Sequence, residues 1–213
     1  MLLSTIPKIE ILNDDCMDVL KDMPDNSIDL AIIDPPYGLG KKLSTGGGKM
    51  KNSPGRLLYE QSTQWDIIPT DEYFTELKKV SKNQIIWGGN YFNLGPCRGF
   101  IIWNKRQSLP TFSKCEYAWT NFNRPSNLFE KCNTGGNNKI KKIHPTQKPI
   151  QLYEWLLANY AKSGYKILDT HLGSGSSMIA AAKLGFDFLG IEKDKNYFNS
   201  SIQYFNQIIN NHL

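Results

Sequence analysis

The sequence predicts a single α/β domain, residues 1–213, built on a mainly parallel β-sheet with helices on both faces. Three observations carry this. Short apolar runs end in an acid or a glycine pair, at Asp34, Gly88, Asp169 and Glu192. Segments with helical spacing alternate with these runs, a pattern that favours parallel strands joined by crossover helices. The length of 213 residues is about that of one domain with a sizeable core. Ligands of such sheets collect at the carboxyl ends of the strands, so the four positions are expected along one edge.

The elements follow in order. Residues 9–12 read as a strand, and Asn13-Asp14-Asp15-Cys16 leads into a short helix through Leu20. A buried strand over 27–33 ends at Asp34-Pro35-Pro36-Tyr37 and opens into a glycine- and lysine-rich loop. Asp71 and Glu72 begin a helix to about Lys79, with Tyr73, Phe74, Leu77 and Val80 on one face and the acids at its positive end. Residues 84–87 form a buried strand closed by Gly88-Gly89-Asn90. Residues 100–103 and 117–119 read as two strands, expected to pair antiparallel, and 120–143 as polar and irregular. Pro149 suits the first turn of a helix over 150–160. A strand over 165–168, a glycine-bearing turn over 169–177 and a helix over 178–184 stopped by Gly185 come next. A strand over 186–191 ends at Glu192, and a closing helix spans 196–209.

Composition narrows the class. No apolar run approaches the roughly 18 residues of a membrane span, and Met1-Leu2-Leu3-Ser4 lacks a basic leader with an apolar stretch. A cytoplasmic protein without a membrane partner is expected. Four widely spaced cysteines without a CxxC pair, and only three histidines, predict reduced thiols and no metal site. The net charge of +5 is unevenly spread. Lys41, Lys42, Lys49, Lys51 and Arg56 share a stretch without acids, as do Lys139, Lys141 and Lys142. Either stretch alone reads as a solvated loop; the two together point to a polyanion such as DNA.

Asp34-Pro35-Pro36-Tyr37 carries the chemistry. Proline fixes φ and removes a backbone donor, so the Asp34 carboxylate and Pro35 carbonyl are expected to face outward with no N–H nearby. Such a corner offers acceptors to an amino group, while Tyr37 can stack on a planar ring. In Asp169-Thr170-His171-Leu172-Gly173-Ser174-Gly175 the glycines admit close backbone approach, and the helix behind supplies positive potential. Asp169 can accept from an ammonium or hydroxyl, and Glu192 suits the hydroxyls of a ribose. Neither GxGxxG nor GxxxxGK[ST] is present, which favours a nucleoside with a charged amino-acid tail over a pyrophosphate. In His144-Pro145-Thr146-Gln147-Lys148-Pro149, Thr146 or Lys148 is placed to hold a carboxylate. By itself that segment reads as a turn before a helix, with His144 a structural hydrogen-bonding residue.

Together these motifs resemble the amino-methyltransferases that use S-adenosylmethionine to methylate exocyclic amines in DNA. Asp34 to Tyr37 resembles their catalytic motif, and Asp169 to Gly175 their cofactor loop, usually written Asp-Pro-Phe-x-Gly-Ser-Gly. His144 to Pro149 is similar to the segment before that loop in the permuted, beta-type members. The resemblance spans roughly residues 9 to 209. It implies a Rossmann-like S-adenosylmethionine-dependent methyltransferase fold and methylation of the N6 amine of an adenine flipped from duplex DNA. Asp34, Pro35, Pro36 and Tyr37 take the catalytic roles, the first two accepting the amine N–H bonds.

For the cofactor the resemblance implies Asp15, Cys16 (through its backbone N–H; its thiol reads as core), Asp34, His144, Thr146, Gln147 and Lys148. It adds Asp169, Thr170, His171, Gly173, Ser174, Gly175, Ser176, Glu192 and Lys193. Lys41, Lys42, Lys49, Lys51, Arg56, Lys105, Lys139, Lys141 and Lys142 are the expected DNA contacts. Loop 38–64 is expected to be a mobile, DNA-facing segment, with 120–143 a short target-recognition segment. Trp87 reads equally as pocket wall or core, and Phe112 as an edge contact for the base. A homodimer and a cognate restriction endonuclease are further partners the resemblance admits. Thr170-His171 departs from the usual Pro-Phe and makes the cofactor wall more polar. Three alternatives stand beside this reading: cytosine-N4 methylation, in which Ser is commoner at Asp34; a non-catalytic DNA-binding relative; and a nucleotide-dependent oxidoreductase, favoured only by the glycine turn.

Overall fold

The structure, a computed structural model, describes residues 6–39, 66–107, 113–132 and 142–210. Its strands are β1 (Ile9–Leu12), β2 (Ile28–Ile33), β3 (Ser81–Trp87), β4 (Phe100–Asn104), β5 (Cys115–Thr120), β6 (Asn127–Glu130), β7 (Lys166–Asp169) and β8 (Asp187–Ile191). The α-helices are α1 (Cys16–Asp22), α2 (Asp71–Val80), α3 (Ile150–Tyr160), α4 (Ser176–Leu184) and α5 (Lys195–Asn210). All eight strands join one sheet in the order β1-β8-β7-β2-β3-β5-β4-β6. Strands β1, β8, β7, β2 and β3 run parallel. The expected antiparallel pair is present between β4 and β5, and β5 is also antiparallel to β3.

Apolar residues on both faces of the central strands require cover on both sides. Along β2, Leu30 and Ile32 enter one core with α3 and α4, through Leu152, Leu156, Met178 and Ala181. Ala31 and Ile33, pointing the other way, pack with Tyr73, Phe74 and Leu77 of α2. Helix α2, which precedes β3, therefore lies on one face and α4, which follows β7, on the other, although β2 and β7 are hydrogen-bonded neighbours. A crevice is expected where the two diverge.

Local signals explain most boundaries. Asp15 caps α1 by accepting from the Met17 N–H at 2.9 Å. Gly185 ends α4 in the left-handed region, at φ 76°, with its N–H turned back to the Ala181 and Ala182 carbonyls. The expectation of an irregular 120–143 segment needs correction. Residues 127–130 form β6, a parallel edge strand on β4, with Phe129 packed on Trp155 at 5.4 Å between ring centres. Four residues, Asn-Leu-Phe-Glu, carry little intrinsic strand signal, so pairing and the Phe129 contact decide the conformation. Helix α4 begins at Ser176, two residues before its expected start, and β3 begins at Ser81 rather than residue 84.

Candidate active site at the carboxyl edge of the sheet

Asp34 follows β2, Gly88 follows β3, Asp169 ends β7 and Glu192 follows β8, so parallel pairing brings all four to one edge. Antiparallel β5 adds the start of its strand to the same edge. Trp87 is registered with Ala118 and Asn104 with Cys115, which sets Glu116 beside the end of β3. The cavity there has a volume of about 1470 Å³. Asp34, Pro35, Pro36 and Tyr37 line it together with Asp15, Cys16, His144, Thr146, Gln147, Lys148, Thr170, His171, Gly173, Ser174, Glu192 and Lys193. Lys105 and Lys142 line it as well, whereas Asp169, Gly175 and Ser176 do not. Lys41, Lys42, Lys49, Lys51, Arg56, Phe112, Lys139 and Lys141, with nearly all of loop 38–64, lie outside the described residues.

The Asp34 corner is more heavily partnered than its prolines imply. Tyr37 donates its phenol to Asp34 Oδ1 at 2.5 Å, and the Lys148 ammonium donates to Oδ2. Lys148 also pairs with Glu116 Oε2 at 3.0 Å, and Lys105 pairs with Glu116 Oε1 at 2.5 Å. The side chains of Lys148, Asp34 and Glu116 are 3%, 14% and 22% exposed, so this chain of alternating charge is screened little by water. The expectation of an outward carboxylate with no donor nearby is thus corrected: a lysine 114 positions away supplies one. Lys148 holds two protein carboxylates rather than standing open for a ligand's, and the Lys105 charge is directed to Glu116. Glu116 was not foreseen. The available signal was an acid inside a strand of otherwise uncharged residues, Cys115–Thr120.

Burial alone would lower the Lys148 ammonium, but Asp34 and Glu116 reverse that and hold it above the usual lysine range. Burial raises the Asp34 carboxyl, with Glu116 adding to the rise while Lys148 and Tyr37 oppose it. Lys148 also sits 5.3 Å from the Trp87 ring centre, a cation–π arrangement beneath the corner.

The Tyr37 ring is stacked on Tyr91, with centres 5.0 Å apart and planes at 18°. It lies so close to Gly88 that a Cβ there would fall 2.2 Å from a ring carbon. Gly88 has φ 69°, and both features require glycine.

Opposite this corner, the β7–α4 turn is fixed from within. Asp169 accepts the His171 N–H at 3.1 Å and the Ser177 hydroxyl at 2.5 Å, so its carboxylate shapes the turn rather than facing the cavity. Burial raises that carboxyl to about 7 despite both bonds. Gly175 packs toward Met178 and Ser201, and the Ser176 hydroxyl shares a buried hydrogen bond with Ser174 at 3.0 Å. Gly173 faces the His144 ring at 3.6 Å from where a Cβ would sit. His144 in turn lies 4.4 Å from Tyr197 between ring centres, and burial lowers its imidazole to about 4. Gln147 accepts the Ile143 N–H at 3.0 Å and so closes its own turn.

Glu192 accepts from Gly173 N–H at 2.8 Å and Asp194 N–H at 2.9 Å while still facing the cavity. Asp15 is held by Lys193 at 2.7 Å, which with the Met17 N–H keeps its carboxyl below the usual range. The Cys16 thiol is pushed up to about 12 by burial and stays protonated. Among the described residues there is no group of three or more His, Cys, Asp or Glu that could hold a metal ion.

Comparison with known proteins gives a consistent result. Residues 102–203 match the family described as DNA methylase. The chain is 29% identical to the type II methyltransferase M2.DpnII of Streptococcus pneumoniae, over 89% of this chain and 87% of that one. Its fold is similar to that of M1.HpyAVI solved with SAM, at a TM-score of 0.58 and 20% identity, covering 92% of this chain and 98% of that one. It is also similar to the cytosine-N4-specific PvuII DNA methyltransferase, at 0.61 and 15% identity, covering 96% and 94% respectively.

Proposed function

From the match of residues 102–203 to the DNA methylase family and the likeness to a type II methyltransferase, we propose that the chain is a DNA methyltransferase that methylates the N6 amine of adenine in duplex DNA. One observation carries the proposal. Asp34-Pro35-Pro36-Tyr37 and the Gly173 turn line one cavity at the carboxyl ends of neighbouring β2 and β7, with α2 and α4 on opposite faces of the sheet. The residues around that cavity fit S-adenosylmethionine. Glu192 and Asp15 line the cavity with carboxylates that keep lone pairs beyond their own partners and so can still accept from hydroxyl and amino groups, and the Gly173 turn lines it beside them. Bound there, the cofactor supplies an electrophilic methyl group on a sulfonium.

The chain's own residues orient the amine and stabilise its charge. A carboxylate has about four lone-pair sites, so Asp34 can accept an amine N–H while keeping Tyr37 and Lys148. With the Pro35 carbonyl accepting the second N–H, the nitrogen lone pair is turned out of the ring plane toward the methyl. Positive charge then grows on nitrogen beside an anion already fixed in place, which is electrostatic preorganisation. Holding the partners in line contributes the orientation effect. Lys148, held as an ammonium, does not accept the proton; Asp34, whose carboxyl is raised by burial, is the better acceptor.

The target base must leave the duplex to reach this corner, and Tyr37 and Tyr91 offer an aromatic stack to receive it. Lys142 and the basic residues of loop 38–64 and of 139–141 are assigned to phosphates in this reading. Likeness to a type II methyltransferase supports a cognate restriction endonuclease as companion, and a second copy of the chain would extend a short recognition segment at 120–143. No described helix is long and apolar enough to cross a membrane, and the cytoplasm is the proposed location.

Transfer of labelled methyl from S-adenosylmethionine to duplex DNA, with digestion and mass analysis of nucleosides, tests the proposal. N6-methyladenine is expected, and Asp34→Ala should lower transfer by about 10³-fold while calorimetric cofactor binding survives. Unchanged turnover in Asp34→Ala would remove the mechanism. The likeness to a cytosine-N4-specific fold favours one second reading, and N4-methylcytosine in the digest would select it.

A further inference from the structure

A chain of side-chain hydrogen bonds in the cavity wall fixes a histidine tautomer. The Tyr73 phenol, on α2, lies 2.5 Å from Thr170 Oγ1, and both residues are buried. Thr170 Oγ1 lies 3.0 Å from Nδ1 of His171. Tyr73 meets the His171 ring edge-on, with centres 5.5 Å apart and planes at 81°, so the imidazole is clamped in orientation as well. The direction of the chain follows from counting protons. Among the described residues the Tyr73 hydroxyl meets one acceptor, Thr170 Oγ1, and a buried phenol that fails to donate is costly. Tyr73 therefore donates to Thr170, and the buried Thr170 proton meets no acceptor among the described residues other than His171 Nδ1, so Thr170 donates and Nδ1 accepts. The ring proton must then reside on Nε2, the nitrogen for which no described residue is a partner, in a side chain that lines the cavity.

We propose that Tyr73 and Thr170 hold His171 as the Nε2–H tautomer, so that His171 donates a hydrogen bond to an acceptor atom of the bound cofactor. This rests on S-adenosylmethionine occupying the cavity, and it deepens that reading by giving one wall a directional donor. Burial keeps the imidazole neutral, lowered to about 4 although Asp15 acts to raise it. The donor is therefore an uncharged N–H throughout the neutral range, and a cationic methyl donor is not repelled by it. His171 acts on the cofactor directly. Tyr73 and Thr170 act through it and are positioning residues.

Nitrogen-15 NMR of the ligand-free chain reads the tautomer directly, and with three histidines in the chain assignment needs few variants. The expected signal is a protonated Nε2 and an unprotonated Nδ1 at His171, with Tyr73→Phe giving a mixture of the two forms. Calorimetry then measures S-adenosylmethionine binding. His171→Phe should bind about tenfold more weakly, and His171→Gln, which keeps an N–H donor, should recover much of the loss. Circular dichroism of each variant separates this loss from misfolding, and Tyr73→Phe provides a milder second variant expected to weaken binding several-fold. An Nδ1–H tautomer in the wild-type chain, or equal binding by folded His171→Phe, overturns the donation while leaving the cofactor reading intact. A wild-type chain that binds no S-adenosylmethionine overturns both.

Discussion

Lys148 and Asp34, 114 positions apart, share a largely buried hydrogen bond in the wall of the cavity. The same ammonium reaches Glu116 at 3.0 Å, so one lysine is the counter-ion of two carboxylates. Removing one member of a buried ion pair costs far more than the pair contributes, because the partner is left charged in a poor solvent.

Lys148→Met should therefore destabilise the chain by about 3 kcal/mol, read as a fall of about 6–12 °C in Tm by calorimetry. Adding Glu116→Gln should restore part of the loss, because it removes one of the two abandoned anions. Additive losses in the double variant would show that the two residues are not coupled.

Gly88→Ala tests the seat of Tyr37. The new methyl would fall 2.2 Å from the ring at a backbone φ of 69°, so Tyr37 must shift away from Asp34 or the turn must open. Backbone strain alone should cost about 1–2 kcal/mol. Methyl transfer should fall by at least about tenfold at temperatures where circular dichroism still shows a folded chain. Activity within twofold of wild type would mean that the Tyr37 position is unimportant to the reaction.

Asp169 gives a pH signature. Burial lifts its carboxyl to about 7 from 3.8 against the Ser177 and His171 N–H hydrogen bonds, with Asp34 and Glu192 adding to the rise. Between those values the unfolded chain has lost a proton that the folded chain keeps. Stability therefore falls as pH rises through that window, and the deficit is complete above pH 7. Asp169→Asn, which cannot ionise, should gain on the wild type from pH 5 to pH 8, by on the order of 2 kcal/mol in urea unfolding. A difference that stays flat with pH would argue against a buried, raised carboxyl.

Cys16 should resist alkylation. With its thiol pushed up to about 12, little thiolate exists at pH 8, whereas Cys115 and Cys132 are exposed. Brief iodoacetamide treatment followed by peptide mass spectrometry should label the exposed pair and spare Cys16. Equal labelling would place the Cys16 thiol outside the wall of α1.

The strands that end just before Asp34, Gly88 and Glu192 and at Asp169 were legible in the chain because each is an apolar run closed by an acid or a glycine, a local pattern. Local grammar likewise set α2, α3 and the glycine-stopped α4, and it marked the Asp34 corner and the Gly173 turn as the places for chemistry. The partners inside that site were decided elsewhere. Lys148 looked like an open cationic group because nothing in His144 to Pro149 reveals that Asp34 and Glu116 converge on it. Asp169 looked like a ligand-facing acid, yet its oxygens are taken by Ser177 and the His171 N–H. Strand β6 had too few residues to declare itself before Phe129 met Trp155. Propensity and periodicity act over a few residues and so are written in the sequence; which buried charge neutralises which depends on distances that exist only once the sheet has assembled.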